Sequence, residues 1–318
     1  MKCPECQTVT RNKEVRTACP KCGYHWVFGA GDPLKDTQFR AIIRKASNND
    51  TAYFTKNQLY AAYVARVGFM RPATVLLGGG LIFAGLVAVL YAAEAPLVLG
   101  VPFGFFAAII WYFVFRDRAM PQLEFEALLR KWKSRNGNPE RLLLDSELRL
   151  RNPPPEYTEA DIFSYGVENV LIVDRDVLVD FFVLNNFATR EKTLIVSETG
   201  YPDYIENRLL EILKTQPDVP VYLLHDATEV GQGMRRRALT RWPALRENQV
   251  RDLGLSTEDV RKMRQFRRFR SRQPAAGMPL DYLSAGACAS LVAAAISARA
   301  SLLDAAAMHH HGGGGSYG

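Results

Sequence analysis

Four cysteines fall in two Cys-x-x-Cys pairs, Cys3-Pro4-Glu5-Cys6 and Cys19-Pro20-Lys21-Cys22, with twelve residues between them. Each pair puts two sulfurs on one tight turn. Four thiolates suit tetrahedral zinc and close its shell, so the expected metal is structural rather than catalytic. Gly23 supplies the backbone freedom such a turn needs, and His25 is expected to be a bystander. A second group of reactive side chains sits at the ends of apolar runs. Asp174 follows Val170-Leu171-Ile172-Val173, Ser197-Glu198-Thr199 follows Thr193-Leu194-Ile195-Val196, and His225-Asp226-Ala227-Thr228 follows the run from Val219 to Leu224. A third group is guanidinium: Arg235, Arg236 and Arg237, then Arg261, Arg264, Arg267, Arg268 and Arg270. These are expected to meet phosphates, either of nucleic acid or of anionic lipid headgroups. The same spacing fits a solvated helix face docked by its Val260, Met263, Phe266 and Phe269 stripe.

The elements that must position these groups follow from periodicity. The three apolar runs read as buried strands, and the stretches Val177–Asn185 and Asp203–Lys214 between them read as helices. Strands alternating with helices imply a parallel sheet. In such sheets ligands bind at the carboxyl ends of the strands, where the polar residues cluster. Residues 156–273 are therefore expected to form one α/β domain that ends in a basic helix capped by Ser256. Upstream, 33–70 reads as a helical segment, with a capping box from Thr55 to Gln58; its helices fit a helix-turn-helix or a plain helical pair. Residues 119–155 read as a helical linker. Pro121 opens a helix with Leu123, Leu128, Leu129 and Trp132 as its apolar positions, a short helix follows from Leu142 to Leu148, and Asn152-Pro153-Pro154-Pro155 makes a stiff extended boundary. Residues 274–318 form an Ala/Gly-rich tail, expected to be partly disordered, whose Arg299 and weak hydrophobicity argue against a further membrane span.

Between these parts lie two apolar runs, Pro72 to Ala93 and Pro96 to Phe115, free of charged side chains. Each is long enough to span a bilayer core of ~30 Å as a helix. Residues 72–115 are thus expected to form a transmembrane helical hairpin. Arg66 and Arg71 precede it, and Arg116, Arg118, Arg130, Lys131 and Lys133 follow it, while its turn carries only Glu94. Positive charge stays inside, so the expectation is an integral membrane protein with two spans and both termini cytoplasmic. The bilayer is then one partner. The net charge of +7 on 318 residues permits an anionic partner without requiring one.

Residues 1–32 resemble a zinc ribbon, which can touch nucleic acid or protein or act as a folded cap. The α/β segment resembles a Toprim domain, most like that of the topoisomerase VI A subunit family, its meiotic recombination relatives included. The residues that carry this are Val173-Asp174-Arg175-Asp176, Thr199-Gly200-Tyr201-Pro202-Asp203, Leu224-His225-Asp226-Ala227-Thr228-Glu229-Val230-Gly231 and the stretch Val250 to Val260, in the family's order. The resemblance implies magnesium held by Asp174 and Asp226, with Glu229 or Asp176 assisting. Asp174 stands where the family has glutamate, and Thr228 replaces its second aspartate, so a two-metal arrangement is not expected. The stretch Thr55–Ala61 echoes the family's tyrosine-bearing helix. Ala61 stands at the nucleophile's place, with Tyr60 and Tyr63 nearby, and no catalytic residue is assigned. The expected whole is a membrane-anchored α/β protein: zinc ribbon, transmembrane hairpin and cytoplasmic Toprim-like domain. Two functions fit it, a nucleic-acid-associated or scaffold component, and a magnesium-dependent nuclease or topoisomerase-like enzyme acting on DNA.

Overall fold

A computed structural model describes residues 2–9, 18–29, 31–67, 119–153, 166–270 and 272–312, with side chains to residue 308. The chain divides into two units, Met1–Ala62 with Phe125–Gly318, and Tyr63–Glu124. In the second unit the Met120 N–H donates to the Tyr63 hydroxyl at 2.9 Å. Most of that unit, including the expected hairpin 72–115, lies outside the described residues. Among the described residues no single helix is long and apolar enough to cross a membrane.

The first unit begins with two knuckles. The Gln7 N–H donates back to the Cys3 carbonyl, and the Gly23 N–H to the Cys19 carbonyl. Both turn residues have positive φ, +73° at Gly23 and 59° at Gln7, so glycine serves one knuckle and a strained glutamine the other. Helix α1 (Asp36–Ala46) is tied to the second knuckle by the buried Asp36, which accepts from Val27 N, Phe28 N and the Tyr24 hydroxyl at 2.8–2.9 Å. Strand β1 (Phe54–Thr55) leads into α2 (Lys56–Val67). The capping box forms as expected, with Thr55 N donating to Gln58 Oε1 and Gln58 N to Thr55 Oγ1. Helix α3 (Gln122–Asn136) packs Phe125 and Trp132 on Phe39, with ring centroids 5.8 and 5.0 Å away, and Phe28 lies over Trp132 at 6.1 Å. This aromatic stack joins the knuckles to the helices. Leu123, expected on the apolar face, is 74% exposed.

The expected short helix from Leu142 is instead a strand. β2 (Leu142–Leu143) pairs in parallel with β1. Three successive leucines, Leu142 to Leu144, are all buried, and a helix would have turned one of them to solvent.

The main sheet has strands β3 (Asn169–Val173), β4 (Thr193–Ser197), β5 (Val221–Leu224) and β6 (Val250–Asp252) in the order β4-β3-β5-β6, all parallel. Each central strand is almost wholly apolar because both faces are covered. Helices α4 (Asp176–Leu184), α5 (Phe187–Arg190) and α6 (Asp203–Thr215) lie between the first three strands in sequence. After β5 come α7 (Glu229–Gln232) and α8 (Met234–Arg241). One core cluster joins Val170, Ile172, Val196 and Leu223 of the strands to Leu209, Ile212, Met234 and Trp242 of the helices.

One further expectation is corrected here, and one is made more specific. The basic helix is not continuous: α9 (Thr257–Lys262) ends at Met263, whose ψ of 124° is extended, and a 3-10 turn, Arg264–Arg268, follows. The stripe Val260, Met263, Phe266 and Phe269 is nonetheless fully buried; packing of the four apolar groups, not helical period, sets the backbone. Of the segment expected as a partly disordered tail, residues 278–306 contribute buried side chains to the core. Met278 pairs with Ala227, and Leu280, Tyr282 and Leu283 are buried. Helices α10 (Ala285–Ala298) and α11 (Leu302–Gly312) follow, with the chain bent by 99° between them. Arg299 makes the break in the left-handed conformation. Cys288, Leu291, Val292, Leu302 and Ala305 are buried. If the segment is core, Leu280→Ala should cost about 2–4 kcal/mol in urea or thermal unfolding. A cost under about 0.5 kcal/mol, as for an exposed position, would return the segment to the status of a tail.

Candidate functional site

The four cysteines meet as expected. Their sulfurs all lie within 4.8 Å of one another, with Cys3 to Cys22 at 3.5 Å and Cys6 to Cys19 at 3.6 Å. Around a tetrahedral zinc with bonds of ~2.3 Å, sulfurs stand about 3.8 Å apart. The donor set therefore fits zinc, and with four protein ligands no position is left for substrate. His25 is outside the cluster.

Strands β3 and β5 are neighbours although β4 comes between them in sequence, so the strand order reverses there. This is the place in an open parallel sheet where ligands bind. Asp174 and Asp226 leave these two strands side by side. Val173 is in register with Leu224, and the Asp226 N–H donates to Asp174 Oδ2 at 2.8 Å. Arg175 opens α4 from an extended N-cap position and reaches across both. Its Nε is 3.2 Å from Asp226 Oδ2 and 3.9 Å from Asp174 Oδ1, and its Nη2 donates to Asp226 Oδ1 at 3.3 Å. The same guanidinium forks onto Asp281, Nη2 to Oδ1 at 2.7 Å and Nη1 to Oδ2 at 3.4 Å. Asp281 has no solvent exposure. It also accepts from Thr55 Oγ1 at 2.6 Å and Asn57 Nδ2 at 3.0 Å. Leu280 N donates to Asp226 Oδ1 at 2.7 Å.

Asp281 was not legible as a site residue, nor were Thr55 and Asn57 as its partners. A lone carboxylate inside the apolar run Pro279-Leu280-Asp281-Tyr282-Leu283 was the available signal. The residues named as assistants do not join the cluster. Asp176 accepts from Thr199 Oγ1 at 2.7 Å, tying the start of α4 to the end of β4. Glu229 is exposed. Thr228, at the place of the missing aspartate, caps α7 by accepting from Gly231 N at 2.8 Å. Tyr60 is buried, its ring 5.7 Å from Phe125 and 5.9 Å from Tyr282. His225 lies buried beside the cluster, its Nδ1 2.8 Å from the Asp226 carbonyl oxygen and its Nε2 3.2 Å from Asp252 Oδ1. A side chain on Gly254 or Gly231 would overlap its ring.

The charges respond to burial first. Desolvation pushes the Asp226 carboxyl up to about 7, against the pull of Arg175 and with the charges of Asp174 and Asp281 adding. Desolvation likewise raises Asp174. Burial works to raise Asp281 too, but the Arg175 charge and the three hydrogen-bonding side chains hold it below the usual range. Magnesium needs hard oxygens in octahedral array and keeps several waters. Here Oδ1 of Asp226 and Oδ2 of Asp174 accept hydrogen bonds, Asp226 Oδ2 lies 3.2 Å from Arg175 Nε in an ion pair, and the buried Asp174 Oδ1 and Arg175 Nε have no hydrogen-bond partner. A guanidinium already lies against the same carboxylates and would repel a dication. The residues present do not fit magnesium.

The predicted arginines divide by partner. Arg237 pairs with Glu198 at 2.8 Å and Arg235 with Glu247 at 3.6 Å, while Arg236 is exposed. Arg270 donates to the Val260 and Met263 carbonyls, so it closes the end of α9. Arg261, Arg264, Arg267 and Arg268 are exposed and make no ion pair among the described residues.

A parallel sheet with acidic groups at its switch point defines the class, an α/β domain. Residues 169–268 match the family model for the Toprim domain of Spo11 and the topoisomerase 6 A subunit. No curated protein and no solved structure matches the chain.

Two outcomes are expected. Protein purified without chelator should carry one zinc per chain by elemental analysis, and Cys22→Ser should lose it; a zinc-free wild type would refute the site. The second concerns Asp226. Its folded pKa lies above its unfolded value, so between about pH 4 and about pH 7 the folded state keeps a proton that the unfolded state has lost. Its stabilising contribution is present at low pH and lost as pH rises through about 7. The Tm of Asp226→Asn minus that of wild type should therefore grow between about pH 5 and about pH 8. A flat or shrinking difference would contradict the raised pKa.

Proposed function

We propose that this chain is a nucleic-acid-associated protein, anchored in a membrane through residues 72–115, whose Toprim-like domain is a binding scaffold rather than a nuclease. The observation that carries the non-catalytic part is Arg175, whose guanidinium lies against the carboxylates that would otherwise ligate a metal. A metal-dependent strand cleavage needs an ion with open positions for phosphate and water, and this edge offers neither. The match to a Toprim family supports nucleic acid as the partner. The exposed Arg261, Arg264, Arg267 and Arg268 supply sequence-independent phosphate contacts. The uncharged runs and their flanking arginines and lysines support the anchoring, with both termini cytoplasmic. The zinc ribbon is then a structural cap packed on α1.

The full chain in detergent or nanodiscs tests this. Binding to a labelled DNA duplex should weaken linearly in log–log with salt. Arg264→Ala, Arg267→Ala and Arg268→Ala together should lower that slope by about 2–3. Supercoiled plasmid incubated with magnesium should be neither nicked nor relaxed. Magnesium-dependent nicking that Asp174→Ala abolishes would overturn the scaffold reading, and salt-independent or absent binding would overturn the nucleic-acid one. Labelling of Glu94→Cys only from the cytoplasmic side would overturn the topology.

A further inference from the structure

Arg175 sits where four stretches of chain, far apart in sequence, come together. They are the start of α2 at Thr55 and Asn57, the ends of β3 and β5 at Asp174 and Asp226, and the C-terminal segment at Asp281. Each stretch contributes oxygen acceptors, or donors that fix those acceptors. Such a meeting of carboxylates on one cation is what a bound metal ion usually organises. A guanidinium can do the same work only where its planar fork meets the oxygens in its own plane. Here Nη1 and Nη2 meet the two oxygens of Asp281 while Nε and Nη2 face Asp226.

We propose that Arg175 is the resident cation of this sheet edge: its guanidinium stands in for a metal ion and, through Asp281, fastens the C-terminal segment and the start of α2 onto the sheet. This rests on reading the edge as non-catalytic, and it adds what the edge does instead. Four observations support it. Asp281 is wholly buried, and a buried carboxylate is tolerated only with its charge matched and its lone pairs satisfied. The fastening is reinforced on both sides of Asp281. Leu280 N donates to Asp226, and Ala227 N donates to the Met278 carbonyl at 3.1 Å, so residues 278–281 run along the edge as a strap. Thr55 is used twice, once to cap α2 and once to donate to Asp281, which links the helix start to the strap. Finally, Asp174 Oδ1 is buried without a hydrogen-bond partner, 3.9 Å from Arg175 Nε. That oxygen is a buried acceptor that the guanidinium satisfies only in part.

A substituted cation has two measurable consequences. The first is thermodynamic coupling. Removing the guanidinium strands Asp281, the wholly buried member of the three carboxyls it faces, and neutralising Asp281 as well removes that largest penalty while Asp174 and Asp226 remain. Arg175→Met should lower Tm strongly, and Arg175→Met with Asp281→Asn should recover a large part of that loss, so the two changes are far from additive. The second is metal binding. Arg175→Ala leaves three carboxylates around a vacated volume, and a divalent ion should then enter.

The experiment uses the full chain in nanodiscs, with zinc content checked before and after. Thermal unfolding is followed against magnesium and manganese, and Mn2+ binding is read from loss of its free electron-paramagnetic-resonance signal. Wild type is expected to show no saturable response to either ion. Arg175→Ala should bind Mn2+, gain Tm on adding either ion, and lose both effects when Asp174→Asn is added. Should Arg175→Ala fold only in the presence of Mn2+ or Mg2+, that also meets the expectation. Saturable magnesium binding by wild type that Asp174→Asn abolishes would overturn the proposal. So would additive Tm losses in the Arg175→Met and Asp281→Asn cycle, or an Arg175→Ala protein that takes up no Mn2+. DNA binding is read separately in the same preparations. Its absence would sink the nucleic-acid reading and leave this one standing, whereas metal uptake by wild type would do the reverse.

Discussion

Taking a carboxylate out of water costs several kcal/mol unless its charge and lone pairs are answered. Asp281 is out of water entirely, and everything around it is arranged to answer it. A guanidinium forks onto both oxygens, a hydroxyl and an amide donate to one oxygen each, and the strap on which it sits is held by Ala227 N donating to the Met278 carbonyl and Leu280 N donating to the Asp226 carboxylate. The same cluster depends on the order of the sheet. Because β3 and β5 are neighbours, Arg175 at the start of α4 reaches Asp226 without leaving its own edge. Were β4 between them, two strand spacings, about 9–10 Å, would separate the two residues. The reversal of strand order at this point creates the crevice, and the C-terminal strap fills it.

Parts of this were legible from the residues and parts were not. Parallel strands buried on both faces read as unbroken apolar runs, which is why Val170–Val173, Thr193–Val196 and Val219–Leu224 identified the sheet. The cysteine pairs were legible because their chemistry constrains spacing directly. The pairing of β1 with β2 was not. Two residues carry no period, and the partner of Phe54 lies at Leu142, far along the chain. The break at Met263 was hidden because the same four apolar positions suit a helix or a helix followed by a 3-10 turn. Asp281 was hidden by composition. An Ala- and Gly-rich stretch has weak hydrophobic signal, yet small side chains let α10 pack closely, and Cys288, Val292 and Ala295 are all buried.

The zinc knuckles show the same economy at the other end of the chain. They are too small to bury a core of their own, so they borrow one. Asp36 accepts from three groups of the second knuckle and its continuation, and Phe28 enters the aromatic stack of Phe39 and Trp132. Arg40 reaches back from α1 to Glu5 in the first knuckle. Metal and stack support each other: the thiolates fix the two turns, and the turns place Tyr24 and Phe28 against α1.

The charge pattern separates the two surfaces of the sheet domain. At the carboxyl edge, Arg175 is spent on Asp281 and Asp226, Arg237 on Glu198, and Arg241 on Glu206, so the local positive charge is already neutralised by the chain's own carboxylates. Around Arg261 to Arg268 it is not. Glu258 pairs with Lys262, and the arginines stand exposed over a stripe that is wholly buried. A phosphate approaching the edge would have to displace an intramolecular carboxylate from each guanidinium. One approaching the turn Arg264–Arg268 would displace only water and counterions, and release of counterions favours binding. On the proposed reading, a polyanion is held on the 3-10 turn Arg264–Arg268 and leaves the clasped edge undisturbed.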